Sequence, residues 1–175
     1  MLKRSGSATA HILEFLYDSP GRRAKPLVAV SAYTVSKFGL GSKEFSNIIR
    51  DLKRRNIIAG TEKSGQQYVE LTDQGELEVL FLKATMPRES KWDGKWRLVL
   101  FDIPENARTK RNVLRALLYK NGFQKLQASV FISPRQLNRE AITYLQKTGL
   151  IQYIRIARID ELDNDKGLRR SFRLK

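Results

Sequence analysis

The chain has 175 residues, with 33 Lys or Arg against 18 Asp or Glu, one His and no Cys, for a formal net charge of +15. Without thiols there is no disulfide framework, no Cys-ligated zinc or iron–sulfur centre and no cysteine nucleophile, and any catalytic triad would rest on His11 alone. At 41% hydrophobic, the chain has enough apolar material for packed cores, so disorder is not the default.

The longest uncharged stretch, 26–36, is about half the ~20 residues that a membrane helix needs, and the N-terminus lacks a signal-peptide pattern. The expectation is a soluble cytoplasmic protein with no membrane partner. Such a charge calls for a polyanion, because each Lys or Arg set against a phosphate releases condensed counterions. The surplus is spread along the chain: residues 61–80 hold one Lys against five acids, whereas residues 91–175 carry 19 basic and 8 acidic side chains. Both ends of the chain therefore have basic surface, and double-stranded DNA is the expected partner.

Ile12, Phe15 and Leu16 fall at helical spacing after Ser7, a candidate cap, and the helix should stop at Asp18-Ser19-Pro20-Gly21. The segment after Pro26 is ambiguous: Leu27, Val30 and Phe38 suit a helix, but Val28, Val30, Thr34 and Val35 are β-branched. Gly39-Leu40-Gly41 marks a turn. Ser42 is then expected to cap a helix in which Phe45, Ile48, Ile49 and Leu52 share one face, leaving Lys43, Arg50, Lys53 and Arg54 on the others. Two β-rich runs follow, 57–61 and 67–72, joined by a loop holding Lys63-Ser64-Gly65, and Thr72 can cap a helix through Leu77, Leu80, Phe81 and Ala84.

Helix, helix, turn, basic amphipathic helix, hairpin, helix is the order of a winged helix-turn-helix, whose third helix enters the major groove while the hairpin touches the backbone. The string Leu71-Thr72-Asp73-Gln74-Gly75 resembles the end of the wing in many bacterial winged-helix regulators. On this reading Ser46, Asn47 and Arg50 face base edges, because Asn pairs bidentately with adenine and Arg with guanine. Lys43, Lys53, Arg54, Lys63 and Arg22 would hold phosphates, which positions the protein without specifying sequence.

The polar, Pro- and Gly-containing stretch 87–95 reads as a linker between a winged-helix domain at 1–86 and a second domain at 96–175. Trp96 to Ile103 is a buried-type strand, Asn106 can cap a helix with Val113, Leu114, Leu117 and Leu118 on one face, and Asn121-Gly122 ends it. Strands near 123–126 and 129–133, a helix carrying Ala141, Ile142 and Leu145, and a strand over 153–159 complete βαββαβ. The fold class is thus α+β, a winged helix followed by a ferredoxin-like domain. Trp92 and Trp96 flank the linker and are expected to pin the domains together. The tail from Leu168 to Lys175 reads as disordered or as an edge strand.

The run from Trp92 to Glu105, continued by Gly122-Phe123, Leu126, Ser129-Val130-Phe131 and Ser133-Pro134, strongly resembles the central domain of PaaX-type transcriptional repressors. The winged-helix segment sits where that family has its DNA-binding domain. The family's C-terminal domain is not expected in a chain that ends at Lys175. The resemblance favours a repressor, and in that family the effector is an aromatic coenzyme A thioester; for this chain a homodimer that needs no cofactor is expected, with its small-molecule effector left open.

Asp102-Ile103, Arg108, Arg111, Gln127 and Ser129-Val130-Phe131 are also similar to the small CRISPR-associated nuclease of spacer acquisition. There the aspartate ending the first strand meets its symmetry mate in a homodimer and is proposed to hold a divalent metal, and C-terminal strands complete the partner's sheet. The alternative this implies is a nuclease or spacer-acquisition component using Mg²⁺ or Mn²⁺ at Asp102. One carboxylate and water make a weak magnesium site, so Asp102 would need its twin across a two-fold axis. The competing reading is that Asp102 accepts N–H bonds at the start of the following helix.

Overall fold

The structure, a computed structural model, describes residues 6–19, 28–86 and 91–174. Its contacts divide the chain into two units, Met1–Val79 and Leu80–Lys175.

In the first unit α1 (Gly6–Asp18) buries Ile12, Leu13 and Leu16. Ser7 lies within this helix, and the Ser19 hydroxyl closes its end on the Phe15 carbonyl at 2.6 Å. The ambiguous segment resolves into two short elements, β1 (Val28–Ala29) and α2 (Ala32–Lys37). Ser31 caps α2 by accepting from the Thr34 N–H, while the Thr34 hydroxyl donates to the Ala29 carbonyl at 2.7 Å. α3 (Ser42–Arg54) follows; its N-cap is Gly41, with Ser42 already inside the helix and making no cap bond.

The hairpin of β2 (Ile58–Lys63) and β3 (Gln66–Leu71) pairs Ile58 with Leu71 and Lys63 with Gln66. Only Ser64 and Gly65 lie between the strands, both at positive φ, as a two-residue turn that follows the right-handed strand twist requires. β1 pairs with β3 through Val28 and Val69, giving an antiparallel sheet in the order β1-β3-β2. α4 (Asp73–Ala84) leaves the hairpin with its Gly75 N–H donating to the Thr72 hydroxyl at 3.0 Å. The core joins α1, α3 and the sheet through Phe45, Leu52, Ile57, Val69 and Leu71.

The division between units falls within α4, upstream of the polar 87–95 stretch, because the last turn of α4 contributes Ala84, with Phe81 beside it, to the second core. That unit comprises β4 (Trp96–Phe101), α5 (Arg108–Lys120), β5 (Gln124–Gln127), β6 (Val130–Ser133), α6 (Arg139–Lys147) and β7 (Ile154–Ile159), with α7 (Lys166–Ser171) last. All pairings are antiparallel in the order β5-β6-β4-β7, which makes βαββαβ a ferredoxin-like sheet. Val99 and Phe101 on β4 pack with Leu114, Leu117 and Leu118 of α5 and with Ala141 and Leu145 of α6.

Two local expectations change. Asn106 does not cap α5; a 3₁₀ turn over Glu105–Ala107 precedes it, because Pro104 fixes the chain's direction there. The tail folds as α7 instead of a strand or a disordered end: Phe172 packs 5.7 Å from Trp96, whose indole N–H donates to Asp165 at 3.1 Å. Trp92 stands 5.4 Å from Trp96 with Arg169 over its ring, so both indoles hold α7. No helix among the described residues is long and apolar enough to cross a membrane.

Candidate nucleic-acid interface

The period of α3 sets what it hides and what it shows. Phe45, Ile49 and Leu52 are buried, each contributing about 1.5–3 kcal/mol by leaving water. Lys43, Ser46, Asn47, Arg50, Lys53 and Arg54 are all exposed. The helix is therefore anchored by one face and presents a polar, cationic surface on the rest.

Within that surface the side chains are not equivalent. Arg50 donates to the Asn47 amide oxygen at 3.2 Å, so these two sit side by side as one unit of hydrogen-bonding chemistry. Arg54 is paired with Asp51 at 2.5 Å, and Asp51 also reaches Arg55, which in turn binds Glu78 at 2.8 Å. The charge of Arg54 is thus partly answered within the helix. Lys53 crosses to the hairpin, its ammonium 2.5 Å from where a Cβ of Gly60 would stand. Lys63 is exposed at the end of β2, beside the turn, and Arg22 lies outside the described residues.

Two features of this region escape a local reading of sequence. The absence of a side chain at Gly60 makes room for Lys53, a contact between distant residues that no spacing rule signals. A small groove of about 260 Å³ also runs along α3, walled by Val30, Phe45, Ser46, Ile49, Arg50 and Lys53.

Asp102 stands exposed just beyond β4, its backbone N–H donating to the Tyr153 carbonyl at 3.0 Å. With Ser129, Gln152 and Arg155 it lines a shallow cleft of about 520 Å³. It does not cap the following helix, whose own N-cap position, Ala107, makes no side-chain bond. Glu105 is turned away into a two-oxygen pair with Arg111, both contacts 3.0 Å, and the Arg111 hydrogen bond holds its carboxyl below the ordinary glutamate range. Among the described residues no three His, Asp or Glu side chains converge. Asp102 alone does not supply the oxygen set that an octahedral magnesium needs.

The sheet that carries Asp102, with its β5-β6-β4-β7 order, is the part of the chain with a family match. Residues 89–169 match the family model described as the PaaX protein central Cas2-like domain. This stretch is similar to the central domain of PaaX proteins. The PaaX match spans all of β4 to β7 and the start of α7, so the ferredoxin-like topology and the family agree. No curated protein matches the chain. Among solved structures, the uncharacterized protein Rv0674 from Mycobacterium tuberculosis is similar over 94% of this chain at 16% identity and a TM-score of 0.41. The chain spans 66% of that structure's length.

Proposed function

We propose that the protein is a PaaX-like, homodimeric, sequence-specific DNA-binding transcriptional repressor, acting in the cytoplasm without a metal or other cofactor. The first unit is a winged helix: α3 is its recognition helix, β2 and β3 its wing, and β1 the third strand of its sheet. The observation that carries this reading is the surface of α3, where Asn47 and Arg50 are joined and exposed while the opposite face is locked into the core. Asn and Arg are the side chains that read adenine and guanine bidentately, and Ser46 adds a short hydroxyl. Lys43, Lys53 and Lys63 supply phosphate contacts, with a smaller share from Arg54, and Arg22 is assigned the same role from sequence.

Dimerisation is assigned to the second unit. Strand alternation puts Val99 and Phe101 under the helices, and hence Leu98 and Leu100 on the opposite sheet face, with Val130 and Ala157 as cross-strand neighbours. Leu100 is 40% exposed there. A second copy meeting this face would present two winged helices to a palindromic site.

The test is a titration against labelled duplexes at several salt concentrations, with EDTA or Mn²⁺ present, scoring complex and cleavage together. Intact, salt-sensitive complexes, tighter on DNA from upstream of the protein's own gene than on random duplex, support the repressor. Metal-dependent cleavage abolished by Asp102→Ala would replace it with the nuclease reading.

A further inference from the structure

The cationic surface of α3 is interrupted by an apolar hollow, the groove of about 260 Å³ along this helix. The buried Phe45 and Ile49 and the half-buried Val30, which directly follows β1, supply its apolar lining. The exposed Ser46, Arg50 and Lys53 complete it, at i, i+4 and i+7 along one stripe of the helix.

The lining is set before any DNA arrives. The Val30 N–H donates to the Gln67 carbonyl at 2.8 Å and its carbonyl accepts from the Gln66 side-chain amide at 3.0 Å, so β3 fixes the backbone of Val30 through both polar groups. Phe45 stacks on Phe38 at 6.2 Å, and Phe38 in turn meets the Phe15 ring edge-on at 5.5 Å. Water lodged against Val30, Phe45 and Ile49 finds few hydrogen-bond partners, and an apolar group that displaces such water gains affinity.

A phosphate gains nothing from such a lining. Of the base edges in the major groove only thymine's carries an apolar group, its C5-methyl, and that methyl sits beside O4, an acceptor. The groove offers the complementary pair, an apolar lining with the Ser46 hydroxyl beside it as a donor. We infer that the groove is a subsite for the C5-methyl of a thymine, and that Val30, which lies outside the helix, is a specificity-determining residue. The inference rests on α3 being the reading helix.

The test takes duplexes enriched from a random-sequence library by the full chain and replaces each thymine in turn by deoxyuridine, which keeps the pairing and O4 and lacks only the methyl. Competition anisotropy at fixed salt should show at least one position where deoxyuridine binds about fourfold more weakly, the equivalent of one buried methyl group at about 0.8 kcal/mol. In Val30→Ser, which keeps the backbone bonds to Gln66 and Gln67, that ratio should fall to about one while affinity for random duplex is unchanged. Deoxyuridine tolerated at every thymine, or a ratio preserved in Val30→Ser, would overturn the subsite and leave α3 as the reading helix. No enrichment over random duplex would overturn the reading role of α3 and the subsite with it. The deoxyuridine scan uses the parent chain, and so decides whatever the stability of the variant.

Discussion

Arg97, a residue only 5% exposed, is held by both oxygens of Asp93, at 2.6 Å and 3.3 Å, and by the Lys95 carbonyl at 2.8 Å. A buried guanidinium deprived of its carboxylate is left with an uncompensated charge, so the pair couples the stability of the second unit to pH. The Arg97 hydrogen bond holds the Asp93 carboxyl below the ordinary aspartate range. A folded value below the unfolded one means that the contribution is complete above the unfolded value and is lost as pH falls through the folded one. The urea midpoint of the second unit should therefore drop on acidification below about pH 4. Asp93→Asn should lower the midpoint at neutral pH and flatten its decline in acid.

Gly75 approaches the Ile57 carbonyl so closely that a Cβ would overlap that backbone oxygen, which cannot swing aside as a side chain would. Gly75→Ala should destabilise the first unit by about 1–3 kcal/mol, read from denaturant unfolding. Thr72→Ala should cost about 1 kcal/mol, since it removes the acceptor for the Gly75 N–H and the donor to the Asn56 carbonyl.

Arg50→Ala should reduce affinity for the preferred duplex by about 1–3 kcal/mol and relax discrimination at one base pair. Lys63→Ala should weaken all duplexes alike and lower the slope of log affinity against log salt by about 1. Fluorescence anisotropy across salt concentrations separates the two. Equal losses on specific and random duplexes for both variants would count against α3 as the reading helix.

Leu100→Asp puts a charge on the open sheet face while leaving the helix-covered core untouched. Sedimentation equilibrium should show the parent as a dimer and the variant shifted to monomer, with affinity for a palindromic site falling and near-UV circular dichroism unchanged. A variant that remains dimeric would move the interface elsewhere.

Much of this architecture is legible in the sequence because it is locally encoded. The spacing of Phe45, Ile49 and Leu52 locates α3 and its buried face, Asn121-Gly122 marks the end of α5 where Gly122 has φ +74°, and Thr72 caps α4 as its position suggests. What escapes depends on distant partners. Val28 becomes a strand because Val69 lies opposite, and the tail becomes a helix because Trp96 offers Phe172 a ring and Asp165 an indole donor. The exposed residues of α3 follow from its period, whereas the lodging of Lys53 over Gly60 and the groove between Val30 and Ile49 exist only once separate elements meet.

Ala84 ends a helix that begins in the first unit, yet its methyl lies in the second core and its carbonyl receives both the Asn121 and the Asn138 amides. A fragment beginning at residue 87 would lose that acceptor, leaving the Asn138 amide without its carbonyl partners and the Asn121 amide with the Leu117 carbonyl alone. One ending near Val79 would shorten α4 without taking anything from the second core. Limited proteolysis and domain dissection should accordingly yield a durable C-terminal piece only when the cut falls ahead of Leu80, so the natural seam of this protein runs through a helix.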